Sequence, residues 1–160
     1  MTLVQVHLLE LPVPLAAQAQ QHFEELMREF ALIASGQDGH DDEHHVPKRL
    51  LDLVDTLRQQ FGATTTEPEK RLADAIDRGD EVIPDHVLDL PAEAGPASEA
   101  LGRLIDEADD YCLRGKHLLT LATPPDSVEY RRWYLGQVVD QLAGKPPVPW
   151  PQHVPATPGS

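Results

Sequence analysis

The string GHDDEHH, Gly39 to His45, gathers the side chains best suited to a metal ion. His40 and His44 are four apart and share a face if the segment is helical, with Asp41, Asp42, Glu43 and His45 as further donors. Histidine and carboxylate are zinc ligands, and metal-dependent hydrolysis is the enzyme reading such a set would serve. A tetrahedral site also needs surrounding groups that hold its ligands in place. The stretch SGQDGHDDEHH contains no cap and no apolar anchor. A solvated loop with weak affinity for divalent ions is therefore preferred. The ordered Asp-x-Asp-x-Asp-Gly spacing of a calcium loop is missing.

Asp106, Glu107, Asp109 and Asp110 form an acidic run that could supply acid–base groups or a two-metal site. Consecutive helix positions diverge, however, and the Glu-x-x-His string of di-iron bundles is broken because Asp110 stands where the histidine belongs. These residues read as a solvated face. Cys112 has Arg114, Lys116 and His117 nearby, yet it continues the Ile105 and Ala108 side of a helix, so core packing is expected. Gly115-Lys116 lacks the preceding glycine of a phosphate loop and reads as a helix stop. No serine sits in a nucleophile elbow. With no nucleophile–base pair and no supported metal set, neither catalysis nor a cofactor is expected.

One segment near the C-terminus carries a different kind of chemistry. Val128, Leu135, Val138, Val139 and Leu142 form an aliphatic stripe, and at about 100° per residue Tyr130, Trp133 and Gln137 point to the opposite side. Arg131 and Arg132 are the only adjacent arginines. Aromatic residues beside arginine on a second face make the composition of an interaction hot spot. The competing reading is a central helix buried on both sides, with Trp133 in the core. Trp150, in PPVPWP, either belongs to a disordered tail, folds back over the bundle, or is offered to an aromatic groove elsewhere. Tyr130, Arg131, Arg132, Trp133, Gln137 and Trp150 are thus the candidate protein-interaction residues.

The elements that must position these groups follow from periodicity. Leu3 to Leu11 reads as a short strand ended by Pro12, and His86 to Leu90 as a second. Leu15, Ala19, Phe23, Leu26, Phe30 and Ile33 fall on one helix face, with Gly36 as the stop. Pro47 opens a helix carrying Leu50, Leu53, Val54, Leu57 and Phe61 and ending at Gly62. A short helix follows from about Glu67 to Gly79. Pro96 to Arg114 is the third long helix, and Pro124 to Ala143 the fourth, with Thr123 as N-cap and Asp126 as capping-box acid. The fold class expected is mainly α: a bundle of four principal helices plus a short fifth, flanked by two short strands. HLLELP at His7 returns as HVLDLP at His86, and each leads into two helical segments. A duplicated strand–helix–helix unit, with halves about 3–62 and 82–144, is one explanation; chance in a Leu/Pro-rich chain is the other. Residues 1–144 read as one domain, and 145–160 as a Pro-rich tail.

Thirteen basic against 27 acidic residues give a formal charge of −14 over 160 residues. That field repels nucleic-acid phosphates and anionic lipid alike, so neither is an expected partner. A lone cysteine excludes an internal disulfide. With no readable signal peptide and no bilayer-length apolar run, the expected location is the cytoplasm. Nine arginines to four lysines and no asparagine hint at a GC-rich genome.

The strings VHLLELPVPL, HFEELMREFALIA, LGRLIDEADDYC and LLTLATPPDSVEYRRWYLGQVVDQLAGKPPVPW together cover about Val4 to Trp150. In them the chain resembles a family of small acidic actinobacterial proteins encoded beside anti-sigma-type ATP-binding kinases and stress-response phosphatases. The resemblance implies a regulatory role, with an anti-sigma-type regulator as protein partner, and supplies no catalytic residue. The function expected is thus a non-catalytic regulatory protein acting by protein–protein contact in stress or sigma-factor signalling, with a homodimer left open. The alternative from another class is a small-molecule sensor with its pocket inside the bundle.

Overall fold

The structure, a computed structural model, describes residues 2–34, 41–114 and 123–150. Its elements run β1 (Val4–Pro12), α1 (Val13–Ala34), α2 (Asp41–Arg78), β2 (Val82–Leu90), α3 (Ala94–Arg114) and α4 (Pro125–Leu142). The order strand–helix–helix therefore occurs twice. Of the GHDDEHH string, Gly39 and His40 lie outside the described residues, and Asp41 to His45 open α2 as helical backbone. Gly115 to Ala122 also lie outside them, as does the tail after Trp150.

β1 and β2 pair with each other, antiparallel, from Val4 opposite Leu90 to Pro12 opposite Val82. Val6, Leu8, His86, Leu88 and Leu90 are buried on the inner face, while Gln5, Asp85 and Asp89 stay exposed. A two-stranded ribbon is marginal alone and is held here by the helices over that face. β2 begins at Val82, four residues before the expected start, and so runs through Pro84. The ladder passes over Pro84 and the opposite Glu10, whose φ is +57°. Proline has no N–H to give at that rung, and the partner backbone turns away.

Val13 follows Pro12 directly into α1, its N–H bonded to the Glu81 carbonyl at 2.9 Å, and Pro14 takes a first-turn position where its missing N–H costs nothing. α2 departs most from expectation. One helix of 38 residues, about 57 Å at 1.5 Å per residue, runs through Gly62 and Pro68, where two helices were expected. Local propensity is outweighed by packing at both ends. Leu50 and Val54 enter one apolar cluster with Leu26, Phe30, Leu104, Ile105, Ala108 and Cys112. Phe61, Leu72, Ala75 and Ile76 enter a second, with Val6, Leu8, Leu88, Leu90, Tyr130 and Val138. Between them, the hydroxyls of Thr64, Thr65 and Thr66 bond back to the carbonyls of Phe61 and Gly62, which accommodates these poor helix formers.

Two other glycines do stop helices. Gly79 (φ +76°) sends its N–H to the Ile76 carbonyl, and Asp80 sends its own to Ala75, both at 3.0 Å. Gly144 (φ +97°) repeats this with Gln141, and Lys145 with Asp140. Both are Schellman endings, which need the left-handed backbone that glycine adopts freely.

Candidate functional site

Helix α4 lies against α3, α1 and β1, and this central position decides what its second face does. Tyr130 is 7% exposed and Gln137 6% exposed. The expected aliphatic stripe is less deeply covered: of Val128, Leu135, Val138, Val139 and Leu142, Val138 alone is buried. The helix is inward-facing on both sides. Trp133 is half-buried against the cluster at the ribbon end, as is Trp150.

The polar atoms of this face address main chain. Trp133 donates its indole Nε1–H to the Val148 carbonyl at 2.9 Å. Gln137 accepts the Val148 N–H on Oε1 at 2.9 Å and also accepts from Gln141 Nε2. Gln141 spans His7, taking its N–H on Oε1 and giving Nε2–H to its carbonyl, both at 2.8 Å. Trp133, Gln137 and Gln141 stand at i, i+4 and i+8, one vertical row on a helix. The row thus holds two extended segments, β1 and residues 145–150, by their backbones. Gln141 and Val148 were not anticipated; two glutamines four apart on the aromatic side were the available signal.

The ring system completes the face. Trp150 meets Trp133 edge-on at 5.5 Å and Tyr130 at 6.0 Å, and Tyr130 also contacts Tyr134 at 5.9 Å. Burial, then the neighbouring Tyr134, pushes the Tyr130 hydroxyl well above the ordinary phenol range. It stays protonated. The segment read as the start of a Pro-rich tail, from Lys145 to Trp150, is therefore packed onto α4 and β1.

The two arginines separate. Arg131 is nearly buried and reaches Asp106 at 2.6 Å and Asp109 at 3.1 Å on α3. Arg132 is 69% exposed and approaches Asp106 only at 3.7 Å. Arg131 is consumed in joining α3 to α4; Arg132 remains available at the surface. Asp109 also takes the hydroxyl and amide of Thr123 at 2.6 and 3.1 Å, so Thr123 does not cap α4. Pro124 holds the N-cap position without a side-chain bond. Glu107 pairs with Arg49 and Asp110 with Arg114, so the acidic run divides, with Asp106 and Asp109 sharing Arg131 and the other two turned to different arginines. Among the described residues no three His, Cys, Asp or Glu side chains are grouped to hold a metal.

Cys112 is fully buried, and burial, with Asp109 adding, pushes its thiol up to about 11. A thiol so protonated is a poor nucleophile.

A cavity of about 530 Å³ opens where the two apolar clusters meet, with Phe23, Phe61, Leu90, Leu101 and Tyr134 among its walls. Tyr134 is pushed up to about 12 by burial and then by Glu69.

No protein-family model, curated protein or solved structure matches this chain. Among the described residues no helix is long and apolar enough to cross a membrane.

Proposed function

We propose that this protein is a non-catalytic regulator that works by protein–protein contact through the α4 face and its surroundings. One observation carries the reading: Trp133, Gln137 and Gln141 direct their polar atoms at the main chain of two extended segments. A helix face equipped in this way binds peptide backbone whatever the side chains on it, which is how extended partners are recognised. Arg132, exposed at the rim in a chain of charge −14, would select for an acidic group beside the contact. The stress or sigma-factor setting, an anti-sigma-type partner and a cytoplasmic location rest on the sequence resemblance and composition alone. Affinity capture by the full chain tests the reading. A defined partner should be lost on Trp133→Ala and weakened on Arg132→Glu while the helical circular dichroism spectrum persists. Capture that survives both variants refutes it.

A small-molecule sensor is the second reading, favoured by the cavity of about 530 Å³, a size usual for ligand sites. A ligand seated there would raise the melting temperature without any protein partner. The repeated strand–helix–helix order also supports an internal duplication, with halves 3–62 and 82–144. Superposing residues 4–62 on 82–142 tests it, and divergent helix directions would end it.

A further inference from the structure

Residues 145–150 leave α4 through the left-handed turn at Gly144 and end against β1. Pro146, Pro147 and Pro149 fix φ near −65° and carry no N–H, so this stretch is extended and offers few donors. Three N–H groups remain, and each is bonded: Lys145 to the Asp140 carbonyl at 2.9 Å, Val148 to Gln137 Oε1 at 2.9 Å, and Trp150 to the Leu9 carbonyl at 3.0 Å. Trp133 takes the Val148 carbonyl from the other side. The Val148 side chain itself is 55% exposed, so its identity is not read. The Trp150 ring is read, edge-on, by Trp133 and Tyr130.

What is held is therefore the N–H and carbonyl of one residue and, two positions on, an aromatic ring with its N–H, while the exposed prolines on either side of Val148 keep the backbone extended for those contacts. We propose that the groove formed by α4 and β1 is a binding site for Pro-x-Pro-aromatic segments, that residues 147–150 occupy it in cis, and that such a segment of a partner protein displaces them. The inference rests on the interaction reading above and names its partner chemistry and its regulation. Two features favour exchange over a permanent clasp. The segment lies outside every helix and strand, and its hold consists of a few backbone bonds and one ring. A tether this short acts at roughly millimolar effective concentration, so the cis segment masks the groove until a stronger competitor arrives or the segment is loosened. Lys145, 3.7 Å from Asp140, indicates that a basic residue ahead of the first proline is accommodated.

The test uses the full chain and a fluorescein-labelled KPPVPW peptide, read by polarisation. Two variants loosen the cis segment: Trp150→Ala removes the ring, and Val148→Pro removes the N–H given to Gln137 while touching no core side chain. Each should bind the peptide at least tenfold more tightly than the parent, and the KPPVPA peptide should bind neither. Adding Trp133→Phe, which keeps a ring and deletes the donor, should abolish the gain. Should Trp150→Ala unfold the chain, Val148→Pro alone decides. Folded variants that bind no peptide overturn the proposal, as does a concentration-dependent dimer that Trp150→Ala dissolves, which would make a second copy the occupant. If the peptide fails while partner capture still depends on Trp133, the interaction reading stands and only this partner chemistry falls. If both fail, the reading falls with it.

Discussion

His7 and His86 open the two matching strings HLLELP and HVLDLP, yet they face opposite sides of the β1–β2 ribbon. His7 stands opposite Val87 and His86 opposite Leu8, and successive residues on a strand point to opposite faces. His7 lies on the outer side, its Nδ1 at 3.0 Å from Asp85. His86 is 3% exposed and its Nδ1 has no partner among the described residues. Likeness of sequence does not bring likeness of environment here.

That burial makes stability depend on pH. Desolvation, reinforced by Arg71 and opposed by Asp85, lowers the pKa of His86 to about 4. The unfolded chain takes up its proton near 6.5, so between those values the unfolded state binds more protons and the native state is disfavoured. The stability this group preserves is complete above pH 6.5 and is lost as pH falls toward 4. From pH 8 to pH 5 the loss is about 2 kcal/mol. His86→Leu should remove that slope in urea titrations without lowering stability at pH 8. An unchanged slope would assign the effect elsewhere.

Arg131 and Arg132 are adjacent in sequence and opposite in consequence. Replacing Arg131 by Ala leaves Asp109, 15% exposed, without its cation. The cost should be about 2 kcal/mol, between the values for exposed and buried pairs. Arg132→Ala should change stability by less than about 0.5 kcal/mol. Equal effects in denaturant melts would contradict the geometry.

How much could be read beforehand depended on the range of the interactions involved. Schellman endings at Gly79 and Gly144 are local, and so were visible in sequence. Gly62 carries the same local signal, but two apolar clusters pull α2 through it. Periodicity likewise sorts α4 by side-chain type and sets Tyr130, Trp133 and Gln137 opposite the aliphatic stripe, leaving open whether that second face is exposed or buried. It cannot see that Val148 and Trp150 supply partners for their polar ends from beyond the helix. Arg131 shows the same limit, because its carboxylates come from α3. The start of β2 was missed because Pro84 argues against a strand unless its rung is already broken by Glu10.

Cys112 should behave as a buried thiol. With its pKa raised to about 11 and its sulfur inaccessible, it should react with a disulfide reagent only as the protein opens. Native protein should stay unmodified over the time in which the guanidinium-unfolded chain reacts fully. Fast native modification would place the C-terminal end of α3 in a looser state than the one described.

Gly62 gives the most direct test of the long helix. It sits inside α2 with a negative φ, and a Cβ built on it meets nothing within 4 Å. Glycine within a helix costs about 0.5–1 kcal/mol relative to alanine, because it loses more backbone freedom on folding. Gly62→Ala should therefore stabilise the protein by that amount and raise its melting temperature by roughly 1–4 °C. Had α2 been two helices separated by a left-handed stop at Gly62, the added Cβ would strain the turn and the variant would melt lower. The sign of the shift in a thermal melt thus distinguishes one continuous helix from two.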